Sequence, residues 1–200
     1  FVAVSQTNDP TGSWYEYSID TGSSTTLPDY PTMGYNVNWV VITVNNFANA
    51  ASFPGVGIYI MNRASMYAGT LGTVTSAIDP SSNGSFTVVP AQTMDNTTTT
   101  LYMLQEWNGA SGSVRFSTIT GAVNSPVYTL GTTVTTSNLW SENTVNAPQL
   151  GTTNKISTND TRMHSVILRN GSIWATHTVF LPSSSPNRSS IQWWQINPLT

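Results

Sequence analysis

Three aspartates, Asp29, Asp95 and Asp160, hold similar places in the chain. Each stands just before, or within, a short segment that precedes a pair of strand-like runs. Carboxylates that converge in this way can share general acid/base work in glycoside cleavage or hold Ca²⁺ through oxygen ligands. The competing reading is local: Asp before a strand bonds its own backbone and forms a turn. Arg162 and His164 lie two apart, so a strand puts them on one face. With Asp160 they offer an acid, a cation and an imidazole to an anionic sugar, or a salt-bridged strand end. Trp193 and Trp194 are adjacent, so one ring faces each side of a strand. They suit a sugar-stacking platform or packing between neighbouring sheets. His177 sits within an apolar run and reads as a structural residue. Two distant histidines do not make a zinc site.

No stronger catalytic signature is present. There is no cysteine, which excludes thiol nucleophiles, disulfides and cysteine-based zinc sites. Gly-x-Ser-x-Gly, phosphate-loop and dinucleotide fingerprints are absent. Six Lys and Arg against a net charge of −3 argue against nucleic acid, which needs clustered cations. No apolar run approaches the ~18 residues that span a membrane. Charged residues make up only 8% of the chain, and the aromatics are abundant. That combination, rich in Thr, Ser and Asn, is expected of a secreted or cell-surface protein. Asn-x-Ser/Thr sequons occur at Asn83, Asn96, Asn159, Asn170 and Asn187, as they do by chance in such a composition.

The elements that must position these residues are strands. No long helical period exists; Arg63–Ala68 is predicted to form a turn or two at most. Gly, Pro, Asn and Ser break the chain about every ten residues, which indicates an all-β fold. The best-specified stretch is Asp160–Pro198. Met163–Leu168 and Ile173–Phe180 flank Asn170-Gly171, the strongest short-range hairpin signal, because a type I′ turn needs φ > 0 at both centres. Ile191–Ile196 adds a third strand.

Paired runs recur elsewhere: Phe1–Ser5 with Trp14–Asp20, Trp39–Val44 with Gly57–Asn62, and Thr100–Trp107 with Ser113–Thr120. Before three of the four pairs comes a short segment that carries Asp29, Asp95 or Asp160. Weaker runs follow at Ser85–Val89 and Pro126–Leu130. The pattern predicts three to four four-stranded antiparallel blades of a β-propeller, in units of about 1–28, 29–90, 91–159 and 160–200. Rings of this kind need more blades than 200 residues supply. The expectation is a partial propeller that needs further blades or other chains to close, with the aspartates at its channel mouth. The alternative is an irregular β-sandwich or jelly roll.

Asp29-Tyr-Pro-Thr-Met-Gly34, Asp160-Thr-Arg162, Asn170-Gly-Ser-Ile-Trp174-Ala-Thr-His177-Thr and Ile191-Gln-Trp193-Trp-Gln-Ile-Asn197 together resemble secreted bacterial β-propeller proteins of the broad sialidase-like kind. The chain lacks the Ser-x-Asp-x-Gly-x-x-Trp box of true sialidases, and no arginine triad can be picked out. Little function carries over from the resemblance; low charge, Thr/Ser/Asn richness and the absence of a defined catalytic set lead to the expectation of an extracellular binding or structural module. Its rival is a glycan-binding or glycoside-cleaving propeller that uses Asp29, Asp95, Asp160, Arg162 and His164. The partner class is a glycan or protein ligand. No cofactor is implied beyond Ca²⁺.

Overall fold

The computed structural model describes residues 1–22, 24–49 and 52–198. The protein is all-β, with sixteen strands among the described residues. A hairpin of β1 (Val2–Ser5) and β2 (Trp14–Tyr17) comes first. A four-stranded unit follows: β3 (Thr26–Tyr35), β4 (Trp39–Ala48), β5 (Ser52–Asn62) and β6 (Thr75–Pro80), paired antiparallel in chain order. One helical turn, α1 (Arg63–Tyr67), leaves β5 and is capped by Asn62 Oδ1, which accepts from the Ser65 N–H. The second unit opens with the short runs β7 (Val89–Pro90) and β8 (Gln92–Thr93). It continues with β9 (Leu101–Asn108), β10 (Ser113–Ala122) and β11 (Ser125–Thr135). A small hairpin of β12 (Ala147–Pro148) and β13 (Lys155–Ile156) separates it from the third unit. That unit is the meander β14 (Met163–Arg169), β15 (Ser172–Leu181) and β16 (Arg188–Ile196). Asn170 (φ 52°) and Gly171 (φ 72°) both take the left-handed conformation expected at its first turn.

The extended run Val89–Thr93 ties the units together. Its first half pairs with β9, as the innermost strand of the second unit. Its second half pairs in parallel with both β14 and β3. The first and third units therefore join edge to edge through β8 in the order β16-β15-β14-β8-β3-β4-β5-β6. The second unit forms its own sheet, β11-β10-β9-β7. Neither sheet is closed. The backbones approach closely here: a Cβ on Gly34 would lie 2.4 Å from the Pro90 carbonyl oxygen.

Alternation along the strands gives each sheet two apolar faces, and the units stack on them. Trp39, Val41, Ile58 and Ile60 of the first unit meet Leu101, Met103 and Ile119 of the second. Leu104 and Val114, on the opposite face of the second unit, meet Met163, Val166, Ile173 and Val179 of the third. The N-terminal hairpin covers the other face of the first unit, where Tyr17 packs with Val40, Met61 and Met66. The unit boundaries differ from the sequence expectation in two places. β6 (Thr75–Pro80) has no apolar run to announce it. The second unit's innermost strand is Val89–Pro90 rather than the segment at Asp95.

Candidate functional site at the strand-entry end

Near the start of β3, β7 and β14 lies a residue in the left-handed region: Tyr30 (φ 51°) within β3, and Thr87 (φ 51°) and Asn159 (φ 57°) ahead of β7 and β14. Such a conformation is uncommon for Tyr and strained for β-branched Thr. Local contacts hold it. Thr87 donates its N–H to Asn45 Oδ1 (2.8 Å), and Asn45 Nδ2 donates to Thr87 Oγ1 (2.8 Å). Tyr30 lies in a β-bulge, where the β3–β4 register shifts between Asp29 and Thr32. A bulge re-aims the side chains beside it. Here Tyr30 and Phe86, one from each unit, both turn onto Arg162 of the third. The Arg162 guanidinium lies 4.5 Å from the Tyr30 ring centre and 5.0 Å from that of Phe86.

Arg162 donates Nε and Nη2 to the two Asp160 oxygens at 2.7 and 2.6 Å, and its backbone N–H to Oδ1 at 3.0 Å. Partial burial opposes the Asp160 charge, but these bonds prevail and hold its carboxyl below the usual range. The same pairing raises Arg162. The Tyr30 hydroxyl meets exposed His164 Nδ1 at 3.0 Å.

Two carboxylates that the sequence reading does not single out join this centre, Glu106 near the end of β9 and Glu142 in the loop after β11. Trp140 Nε1 donates to Glu106 Oε1 (3.2 Å), while Glu142 Oε1 accepts from the Gly109 N–H (2.8 Å). Burial, then the nearby Glu142 charge, push the Glu106 carboxyl up to about 7, against hydrogen bonds from Trp140 and Thr161. Glu106 is thus a proton donor poised near neutrality, beside the ionised Asp160. Nothing in the spacing of Glu106 or Glu142 marks either: Trp140 holds Glu106, and the Gly109 N–H holds Glu142.

Asp29 joins Asp160 at this end, and its charge contributes to raising Arg162. Asp95 does not. Gln92 is level with both Tyr35 and Ile167. Asp29 and Asp160 precede that level by six and seven residues, whereas Asp95 follows it by three, roughly 25–30 Å further along the strand direction. Asp95 closes its own turn. The N–H groups of Thr97 and Thr98 hold its carboxyl at about 2, which is the turn-former reading. Among the described residues no group of three or more His, Asp or Glu side chains is placed to hold a metal ion.

The two adjacent tryptophans part as alternation requires. Trp194 is buried against Trp140 and His177, with ring centres 6.1 and 6.3 Å away, so it is core and not a platform. Trp193 is 65% exposed on the outer face of the third unit, where it stacks on Trp174 at 6.2 Å and 18°. Trp174, inside the quoted motif, is the ring that the sequence reading left out of the platform. It comes beside Trp193 through the β15–β16 register, which sets Thr176 opposite Trp193.

Glu106 and His177 give opposite pH dependences. Glu106 is raised in the fold, so the native state holds the extra proton, and stability falls as pH rises from about 4.5 to 7. His177 is lowered to about 4 by burial, so the unfolded chain takes the extra proton, and stability falls as pH drops from about 6.5 to 4. The two slopes cancel in the wild type between pH 4.5 and 6.5. Glu106→Gln is expected to leave only the histidine slope, which changes stability by roughly 2–3 kcal/mol across that window. Urea midpoints at pH 4.5 and 6.5 measure it; equal midpoints in Glu106→Gln would count against the His177 shift, and a wild type with the same midpoint difference as Glu106→Gln would count against the Glu106 shift.

No protein-family model, curated protein or solved structure matches this chain. Among the described residues no helix is long and apolar enough to cross a membrane.

Proposed function

We propose that this chain is part of an extracellular β-propeller that acts as a binding and structural module. The observation that carries the reading is the stacking itself. Three consecutive units lie face on face, their innermost strands run parallel, and the middle unit is covered on both sides. The outer face of the third unit continues the pattern with Ile167, Trp174, Ile191 and Trp193. Trp174, Trp193 and Ile191 are exposed there. A face of this size and apolarity marks a contact surface, and a further four-stranded unit is its natural cover. Low charge and a Thr/Ser/Asn-rich surface support an extracellular setting.

Light scattering across a dilution series tests this. The chain is expected to run heavier than 21.6 kDa, and Trp193→Asp is expected to return it to that mass. A wild-type monomer at every concentration would reject a self-covering face.

The pairing of Glu106 near neutrality with the Asp160–Arg162 ion pair favours a second reading, a glycan held at the strand-entry end. It draws on the low net charge and on donors and acceptors that converge from all three units. A glycan array with wild type and Asp160→Ala decides it. Retained glycan binding in Asp160→Ala removes the entry end from the account.

A further inference from the structure

The first and second units each have four strands, and their fourth strands, β6 and β11, lie outermost. The third unit has three, and the outer edge of β16 pairs with no strand among the described residues. A groove of about 980 Å³ runs along that edge. Ile191 through Asn197 line it as an unbroken series. Side chains from both faces of β16 therefore contribute, as expected where a cavity follows the backbone edge, and Val179 and Leu181 of β15 carry it on over the inner face. Its far wall is the end of β11 and the loop after it, including Val134 and Leu139. That wall is the place against which a fourth strand of the third unit would stack. Trp194 also lines the groove, and its Nε1 is buried with no hydrogen-bond partner.

We infer that the β16 edge is a strand-acceptor site: it binds one extended polypeptide segment antiparallel to Arg188–Ile196, as the third unit's fourth strand. The ligand is recognised by main-chain N–H and C=O groups in the manner of strand addition. Alternate apolar side chains enter the groove beside Val134, Leu139 and Ile191. The sibling strand β11 shows the type: it carries no charged residue, and Tyr128 and Val134 are the apolar side chains it packs against the cores on either side. Charged side chains do not supply the recognition, because among the groove's lining residues none is charged. This inference rests on strand count and the groove. The groove shares Ile191 and Trp193 with the exposed face of the third unit, but its readout is the edge amides of β16 and not the mass of the chain.

The test tethers a second copy of the β11 sequence, SPVYTLGTTVT, by a flexible Gly/Ser linker to the end of the 200-residue chain. Tethering raises the effective concentration to roughly millimolar. Hydrogen exchange is then read amide by amide. The edge amides within Ile191–Ile196 are expected to exchange at least about tenfold more slowly than in the untethered chain. Leu139→Glu is expected to reduce that protection while leaving exchange in the first unit unchanged. The same peptide added free should protect the edge, and its N-methylated form, which cannot donate to the ladder, should not. Unchanged exchange at 191–196 in the tethered chain overturns the proposal. So does an untethered chain that is dimeric with these amides already protected, since the edge would then belong to a second copy.

Discussion

Asp79→Ala is expected to lose about 3–5 kcal/mol of unfolding free energy, the cost of stranding a buried charge. Asp79 on β6 and Arg115 on β10 form an ion pair at 3.0 Å between the first and second units, with side chains 0% and 5% exposed. Their neighbours complete it. Arg115 donates to Gln105 Oε1 (2.7 Å) and to the Asn83 carbonyl (2.6 Å), and its guanidinium lies 4.4 Å from the centre of the Trp107 ring. Asp79 accepts from Tyr128 (2.8 Å) and Asn83 (3.0 Å). Removal of the carboxylate leaves the guanidinium with no counter-charge in a site that water does not reach. Against a typical total of 5–15 kcal/mol, that loss puts the variant near unfolding at room temperature. The double change Asp79→Leu with Arg115→Met removes both charges and should recover most of the stability, as apolar replacements of buried pairs commonly do. Urea unfolding of the single and double variants measures both effects. A single variant within 1 kcal/mol of wild type, roughly the worth of an exposed pair, would show that water reaches the pair. The network also occupies the Asn83 amide, so this sequon is the one least open to modification. Asn96, Asn159, Asn170 and Asn187 are exposed.

Trp140→Ala should cost about 3–5 kcal/mol, the range for truncating a large buried aromatic. Trp140 belongs to no strand, yet it is 1% exposed and plugs the junction of the second and third units. Its ring meets His177 edge-on at 5.1 Å, and its backbone N–H donates to the Gly109 carbonyl at 3.1 Å. Gly109 has no room for a side chain: a Cβ there would lie 2.6 Å from the indole. Trp140→Phe separates packing from polarity. It keeps most of the volume and deletes the N–H that Glu106 accepts, a bond that works against the raised Glu106 pKa. Glu106 should therefore titrate higher still in Trp140→Phe, with a smaller loss of stability than in Trp140→Ala. NMR titration of the Glu106 carboxyl and urea unfolding report the two effects. A Glu106 that titrates unchanged in Trp140→Phe would remove the indole from the entry-end electrostatics.

Local patterns were readable where one stretch of chain decides them. Asn170-Gly171 fixes its turn because few other pairs accept two left-handed residues in succession. Trp39–Val44 is a nearly continuous apolar run because its strand is buried on both faces, whereas Ile173–Phe180 alternates because one face of its sheet is exposed. The quiet strands were not readable. β6 (Thr75–Pro80) reads TSAIDP and is a strand because β5 offers it an edge, not because its residues prefer one. The centre at the strand-entry end divides in the same way. Asp160 and Arg162 are two residues apart, so their pairing is local and was legible. Tyr30, Phe86, Glu106 and Glu142 come to this end from four other stretches, steered by a β-bulge at Tyr30, a left-handed Thr87 and a buried Trp140. Asp95 imitates Asp29 and Asp160 in sequence, yet it follows an inner strand where they precede one. Sequence by itself determined strand content, the hairpin and the ion pair, since these depend on neighbours along the chain. Tertiary structure alone decided which carboxylates share a site and which tryptophan is buried, since strand direction and sheet face are set by partners far away in sequence.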